Sequence, residues 1–551
     1  MIRVLSTNIT SPLGFTTEQN FQAVRSGGSA LKCYNGLWGL PEPFAASLFS
    51  EEQKAALAID GYSFFESIAI RSVREALSHT RLDIASPKVV FILSTTKGNV
   101  ELLDESHQEA RYYPSETAQT IATAIGLTTT PIVVCNACVS GLSAQLLANH
   151  LLSVGLYDYA IVVGAEVLSK FIVSGFQSLK AVSDEPCRPF DIERIGLNLG
   201  EAAATIVFAK ETSEEGWTLL DGAVCNDAFH NVSPSPQGDG CCKAIETAMK
   251  DWDKEQLATV CVHGTATLYN DQMESKAIQR AGLSDIPLSA LKGYFGHTMG
   301  AAGVLETILT MRATDDGIVL SSKGFSELGV SGKVSISSES LHTDKTSFLK
   351  LLSGFGGCNV AALYTRSKEQ GARSEKHSLV KTHTFRLYSK DGKSLTDIYK
   401  QQIGDYPKFY KMDILTRLAF VASELLIKEQ GARGKEQEEN TSLILFNHSS
   451  SVVADRQYLS TISDAENFFP SPSVFVYTLP NITTGEIAIR NHYCGETSFY
   501  ILPEKDKALM QQILEATLKA TGATSAISGW VDAESDTSFE CELFLFEMKN
   551  E

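Results

Sequence analysis

Residues 135–155 read CNACVSGLSAQLLANHLLSVG and continue the apolar run IVVC at residues 132–135. A β-branched run that passes through small residues into helical spacing reads as a strand feeding a helix. That junction sets Cys138 at the head of a helix, where free N–H groups and the helix dipole predict a lowered thiol pKa. Ala137, Ser140 and Gly141 would leave space beside the sulfur for a substrate. Buried structural cysteines are the commoner case, so this stretch alone leaves two readings, nucleophile or core. Cys135 lies inside the run and is expected to be core.

The same alternation extends through the first 365 or so residues. Apolar runs recur at residues 89–94 (VVFILS), 160–164 (AIVVG) and 205–209 (TIVFA), and residues 142–154 show three- and four-residue apolar spacing. Strands alternating with helices predict an α/β protein with buried sheets covered by helices. With 551 residues the chain exceeds a single core, so a second domain is expected. Residues 367–378 (SKEQGARSEKHS) are polar without periodicity. We therefore expect a first domain over 1–366, a linker over 367–380 and a smaller α/β domain over 381–551.

The last block reads as a worn copy of part of the first. Residues 443–446 resemble 90–93, Ile487–Ala488 resembles Ile121–Ala122, and Ala526–Ile527 resembles Ala160–Ile161. The last two pairs share an offset of 366, which carries Cys138 onto Glu504. On this reading the second copy has no nucleophile and is a degenerate, non-catalytic half. An unrelated α/β appendage is the competing reading.

Composition excludes several classes. A hydrophobic fraction of 43% and a charged fraction of 20% are ordinary for a globular protein. No apolar run reaches the length of a membrane span, and the N-terminus carries no apolar core with a cleavage site. The eleven cysteines are scattered without zinc-ligand spacing, so no metal and a reduced, cytoplasmic setting are expected. A net charge of −18 argues against nucleic acid as partner.

Three further segments carry chemistry. His263 follows an apolar run and precedes Gly264 and Thr265; Lys292 and His297 lie on a small-residue loop before a helix bearing Glu306; and Gly354, Phe355, Gly356 and Gly357 form a glycine-rich loop. A lone histidine in such a place is usually structural. A cysteine, two histidines and a lysine together are the parts that carbon–carbon condensation requires.

These four segments, in this order, resemble the signature regions of the β-ketoacyl-acyl-carrier-protein synthases of the thiolase-like superfamily. The likeness begins at NITSPLGFTTEQNFQAVRSGGSAL (residues 8–31) and runs through CRPFDIERIGLNLGEAAA (187–204) and DAFHNVSPSPQG (227–238). It implies a layered α-β-α-β-α fold and decarboxylative condensation of a malonyl carrier thioester with an acyl chain on Cys138. It also implies that His263 and His297 promote decarboxylation, with Lys292 organising the site and Glu306 pairing with it. The backbone N–H groups of Cys138 and Phe355 would form an oxyanion hole, Phe355 would gate the pocket, and Gly356, Gly357 and Thr265 would shape it. Asp271 and Glu274 match a family acidic pair, with a structural role as the alternative. No cofactor is implied. The implied partners are an acyl carrier protein and a second subunit, in a homodimer or a heterodimer with a related synthase. The alternative function is a non-catalytic or chain-length-controlling subunit, which the presence of Cys138 disfavours. Two departures stand out: Ser353 replaces an aromatic, and Cys358 replaces the family's threonine.

Overall fold

The run Val89–Ser94 is buried along its whole length, as a β-branched strand must be when both faces of its sheet are covered. The computed structural model describes residues 2–103, 110–210, 216–366, 377–389, 393–430 and 439–550. Numbering only strands of the main sheet, the first group comprises β1 (Ile2–Thr10), β2 (Val89–Ser94), β3 (Ile132–Val134), β4 (Tyr159–Glu166) and β5 (Ala202–Lys210). Their spatial order is β3-β2-β4-β5-β1, the first two junctions parallel and the last two antiparallel.

The second group comprises β6 (Thr218–Asn226), β7 (Leu257–Cys261), β8 (Pro287–Ser289), β9 (Ser335–Ile336), β10 (Ser347–Gly354) and β11 (Cys358–Thr365). It repeats the pattern as β8-β7-β10-β11-β6, with the same sequence of parallel and antiparallel junctions and β9 added outside β8. Helices complete the layers: α1 (Phe64–Ser78), α2 (Pro114–Ile125), α3 (Ser140–Ser153), α4 (Asp239–Ala248), α5 (Leu268–Arg280) and α6 (Ala302–Asp315). Helices α3 and α6 touch strands of both groups and are buried on all sides, which is why their sequences lack a polar face. They meet backbone to backbone, for a Cβ on Gly141 would lie 3.1 Å from the Cα of Gly303. Helices α1 and α4 cover the two outer faces, giving the expected α-β-α-β-α order.

A third copy of the pattern follows. Strands β12 (His377–Tyr388), β13 (Ser442–Asn447), β14 (Thr497–Ile501), β15 (Ser525–Ser535) and β16 (Ser538–Asn550) lie in the order β14-β13-β15-β16-β12, again parallel twice and then antiparallel twice. Helix α7 (Ile414–Gln430) packs on this group as α1 packs on the first. Helices α8 (Ile482–Asn491) and α9 (Lys507–Thr521) stand where α2 and α3 stand in the first copy. Of the linker expected at 367–380, residues 367–376 lie outside the described residues. Residues 377–380 already belong to β12, with Val380 paired to Glu547.

The registers refine the internal alignment. Leu127 donates its N–H to Ala122 O at the end of α2, and Tyr493 does the same to Ala488 O at the end of α8, so the two helix ends correspond. In the strands the count moves by one. Val90 pairs with Ala160 and Leu443 with Ile527, which matches Ala160 to Ile527 rather than Ala526. Val134 and Ile501 close their strands and stand equally far before Ser140 and Lys507, the first residues of α3 and α9. Counting on from them, the position matching Cys138 is Lys505, next to the expected Glu504. One residue gained between α8 and β14 accounts for the slip.

The first and third copies join edge to edge. Strand β3 pairs antiparallel with β14 through Val134–Tyr500 and Val133–Ile501, and α9 packs against α3. The β3 edge is thus occupied by the chain's own residues. Asn136, fully buried, seals the joint by accepting the N–H of Phe499 at 2.7 Å and donating to Ser498 Oγ at 3.3 Å. No helix among the described residues is long and apolar enough to cross a membrane. Replacing Asn136 with Ala leaves the Phe499 N–H without an acceptor, and should remove about 1–3 kcal/mol of stability. Calorimetry should show this as a lower thermal midpoint.

Candidate active site

Cys138 sits in a short 3-10 turn, Ala137–Val139, between β3 and α3. The turn is entered through Ala137 at φ 49°, a left-handed conformation that tips the next residue out of the strand line. Its sulfur is at the head of α3 as expected, but the expected acidity is not found. Burial pushes the Cys138 thiol up to about 12; Lys292 opposes this and Glu166 adds to it. Desolvation of a thiolate among apolar neighbours outweighs the helix terminus. At neutral pH Cys138 is therefore a thiol.

His263 and His297 face the same cavity as Cys138. Their rings meet edge to face, with centroids 5.1 Å apart. Burial holds both well below the usual histidine range, and the cations Lys292 and Lys350 lower them further. Both rings are therefore neutral at physiological pH. Met299 N–H donates to His297 Nδ1 at 3.2 Å, which fixes the tautomer with its proton on Nε2. That Nε2 is buried and has no hydrogen-bond partner, so its N–H is free for a substrate oxygen.

Carboxylates beneath the histidine loop set its shape. Glu274 accepts the N–H groups of His263 (2.6 Å) and Gly264 (2.9 Å). Asp271 accepts those of Thr265 (3.0 Å), Ala266 (3.1 Å) and Phe190 (2.8 Å). Both carboxylates are spent on backbone N–H groups, which places them in the scaffold rather than on a substrate.

Lys292 is 1% exposed and donates to His263 O at 2.6 Å and to Glu306 at 2.8 Å. The other oxygen of Glu306 takes Lys350 at 2.5 Å. Burial pushes the Glu306 carboxyl up, but the two lysines outweigh it and hold the group below its usual range. Lys350 escaped the sequence analysis. Its signal is a lysine in mid-strand of SFLKLLSG, buried on both sides, where an unpaired ammonium would be untenable.

The hairpin between β10 and β11 closes the cavity. Gly356 and Gly357 adopt φ 87° and 73°, which only glycine takes cheaply in so tight a loop. A Cβ on Gly354 would lie 3.3 Å from Cys138 N, so the hairpin rests on the Cys138 turn. Phe355 separates two spaces that both reach Cys138. One is a cavity of about 260 Å³ lined by His263, Thr265, His297 and Gly357. The other is a narrow apolar void lined by Phe176, Met299 and, from the third copy, Phe475 and Leu479. Thr265 lies on the cavity wall, its hydroxyl 2.9 Å from that of Thr267.

A thiol, two neutral imidazoles with at least one free N–H, and a buried cation set around one cavity suit attack on a thioester and stabilisation of an enolate oxygen. Comparison with known proteins gives the same direction. The family model described as "Beta-ketoacyl synthase, N-terminal domain" matches residues 9–214, and that described as "Beta-ketoacyl synthase, C-terminal domain" matches residues 218–326. The 3-oxoacyl-[acyl-carrier-protein] synthase 2 of Vibrio cholerae is 29% identical over 354 residues, covering 56% of this chain and 84% of that protein. The tetracenomycin polyketide synthase ketoacyl synthase alpha subunit of Streptomyces glaucescens is 28% identical over 350 residues, covering 56% of this chain and 82% of the relative. A crystal structure of a beta-ketoacyl synthase from Burkholderia phymatum aligns with TM-score 0.61 at 23% identity, over 66% of this chain and 99% of that one. A structure of PfaC Keto synthase-Chain length factor aligns with TM-score 0.79 at 13% identity, over 100% of this chain and 78% of that one, a likeness of fold.

Two outcomes test this electrostatic picture. Glu306→Gln leaves Lys292 and Lys350 without their shared counter-charge and should destabilise the protein by about 3–5 kcal/mol in denaturant unfolding. Because burial raises the Cys138 pKa, its alkylation rate should climb with pH beyond 9, the ordinary thiol value, instead of levelling off near neutrality. A plateau by pH 7, followed by mass spectrometry of the Cys138 peptide, would reveal a thiolate and contradict the burial argument.

Proposed function

We propose, from the premise that this chain belongs to the β-ketoacyl synthase family, the condensing enzymes of fatty acid and polyketide synthesis, that it elongates acyl chains by decarboxylative Claisen condensation. The observation that carries this reading is the convergence of the Cys138 thiol with two neutral histidines on one cavity. Cys138 Sγ attacks the carbonyl of an acyl-carrier thioester. The thiol proton passes by way of a histidine to the departing carrier thiolate, leaving an acyl-Cys138 thioester. A malonyl-carrier thioester then loses CO2, and the electrons of the broken C–C bond form an enolate. Its oxygen accepts hydrogen bonds from His297 Nε2–H and from His263, which neutral imidazoles can give without a proton first being removed. The enolate carbon attacks the acyl-Cys138 carbonyl while the N–H groups of Cys138 and Phe355 receive the oxyanion. Collapse expels the Cys138 sulfur, which regains one proton from solvent, and releases a β-ketoacyl carrier thioester. Burial, reinforced by Lys292, keeps both histidines neutral, and Lys292 fixes the nearer loop by holding His263 O.

For residues 377–550 we infer a second, non-catalytic role: a degenerate half of the same fold that stands in for a partner subunit. Support comes from the repeated strand order, from Lys505 at the position matching Cys138, and from Phe475 and Leu479 on the wall of the apolar void beside Cys138. On this reading the chain supplies its own partner and needs no second copy at β3. Light scattering of the full chain should give a particle near 59.8 kDa. A stable particle of twice that mass with a β3-edge contact would sink the cis-partner reading.

The chemistry is tested by incubating the protein with acyl- and malonyl-carrier proteins and following products by mass spectrometry. Wild type should yield the β-ketoacyl carrier and a transient acyl adduct on Cys138. Cys138→Ala and Cys138→Gln should abolish condensation while malonyl decarboxylation persists. Undiminished condensation by Cys138→Ala would reject the assigned nucleophile.

A further inference from the structure

Each carbonyl of the hairpin that carries Phe355 is held by a donor. Gly357 O accepts Asp227 N–H at 2.7 Å and Asn359 Nδ2 at 3.1 Å, and Gly356 O accepts Asn226 Nδ2 at 2.8 Å. Gly356 N–H in turn donates to Asn231 O at 2.6 Å. These partners all belong to the first two copies of the fold. The remaining carbonyl, Phe355 O, accepts Asn481 Nδ2 at 2.8 Å, and Asn481 immediately precedes α8 in the third copy.

The same helix presses on the hairpin from behind. A Cβ on Gly485 would lie 2.7 Å from Gly356 O and 2.8 Å from Gly356 Cα, so two backbones touch there with no side chain between. A glycine inside a helix costs about 1 kcal/mol relative to alanine, and close backbone approach is the reason that fits this one. The next residue, Glu486, is buried and bonds Asn231, Tyr477 (2.8 Å) and Lys408 (2.8 Å). Asn231 is thereby tied both to the hairpin and to α8. The grip is polar, buried and specific to this loop.

We propose that Asn481 and Gly485 are positioning residues for the condensation: α8 of the third copy fixes the 355–356 peptide, and with it the Phe355 N–H and ring beside Cys138. This rests on the reading that Phe355 serves acyl transfer at Cys138. Enolate formation depends on His263 and His297, whose positions are set by Glu274, Lys292 and the Met299 N–H. Loss of the grip should therefore impair acylation of Cys138 and spare decarboxylation of malonyl-carrier.

The test compares Asn481→Ala, the isosteric Asn481→Asp and Gly485→Ala in the full chain with Lys243→Ala. Lys243 bonds Asn440 (2.7 Å) and Cys494 O (3.3 Å) across the same two units but away from the hairpin. Hydrogen–deuterium exchange of the 354–358 peptide should rise about tenfold in the three α8 variants and stay unchanged in Lys243→Ala. The rate of Cys138 acylation should fall about tenfold in the α8 variants, with decarboxylation within about twofold of wild type. Unchanged exchange in both Asn481 variants overturns the proposal. So does faster exchange with unchanged acylation, and so does an equal loss of acylation and decarboxylation. If wild type itself is never acylated while exchange responds as expected, the reaction assignment falls and the structural grip of α8 on the hairpin stands.

Discussion

The molecule turns on a joint only two residue pairs long. Where β3 meets β14 antiparallel, Val133 and Val134 face Ile501 and Tyr500, and Asn136 satisfies the next backbone group. The candidate nucleophile lies four residues beyond Val134, so whatever fixes this joint also fixes the turn that presents Cys138. A strand edge carries a row of unpaired N–H and C=O groups and invites another strand. Here the invitation is answered within the chain, and the apolar side chains of the first and third copies merge in shared cores.

Around that joint the site solves an electrostatic difficulty. Two ammonium groups lie buried beside two buried histidines. Glu306 meets that difficulty by accepting Lys292 on one oxygen and Lys350 on the other, while burial, reinforced by the two lysines, keeps both rings neutral. A neutral imidazole with a free N–H can donate to a developing oxyanion, which is the role proposed for these rings. Burial also keeps Cys138 protonated at rest.

How much of this the sequence disclosed depended on where each residue sits. Cys138, His263, Lys292 and His297 lie at strand ends and on small-residue loops, where local sequence carries the signal. The strand–helix alternation disclosed the fold class, because buried strands must be apolar throughout. Lys350 was hidden, since its meaning comes only from Glu306 and the strand alongside. The thiol pKa was misread because a helix terminus is visible in sequence whereas desolvation is a property of the packed site. The count that led to Glu504 held in helix α8 and slipped in the strands, because a single inserted residue leaves a helix end recognisable but moves every strand partner by one. Asn481 and Gly485 gave no warning: an asparagine before a helix reads as a cap, although Asn481 makes no capping bond and reaches the hairpin instead.

The third copy places α8 against a hairpin of the second copy. Because it is covalently continuous with the unit it serves, the local concentration of the two is set by the chain and not by expression level. In a cell that makes several related synthases, exchange of subunits between assembly lines would scramble their products. On the proposed cis-partner reading, a tethered half escapes such exchange, and mutations on either side of the joint are inherited together.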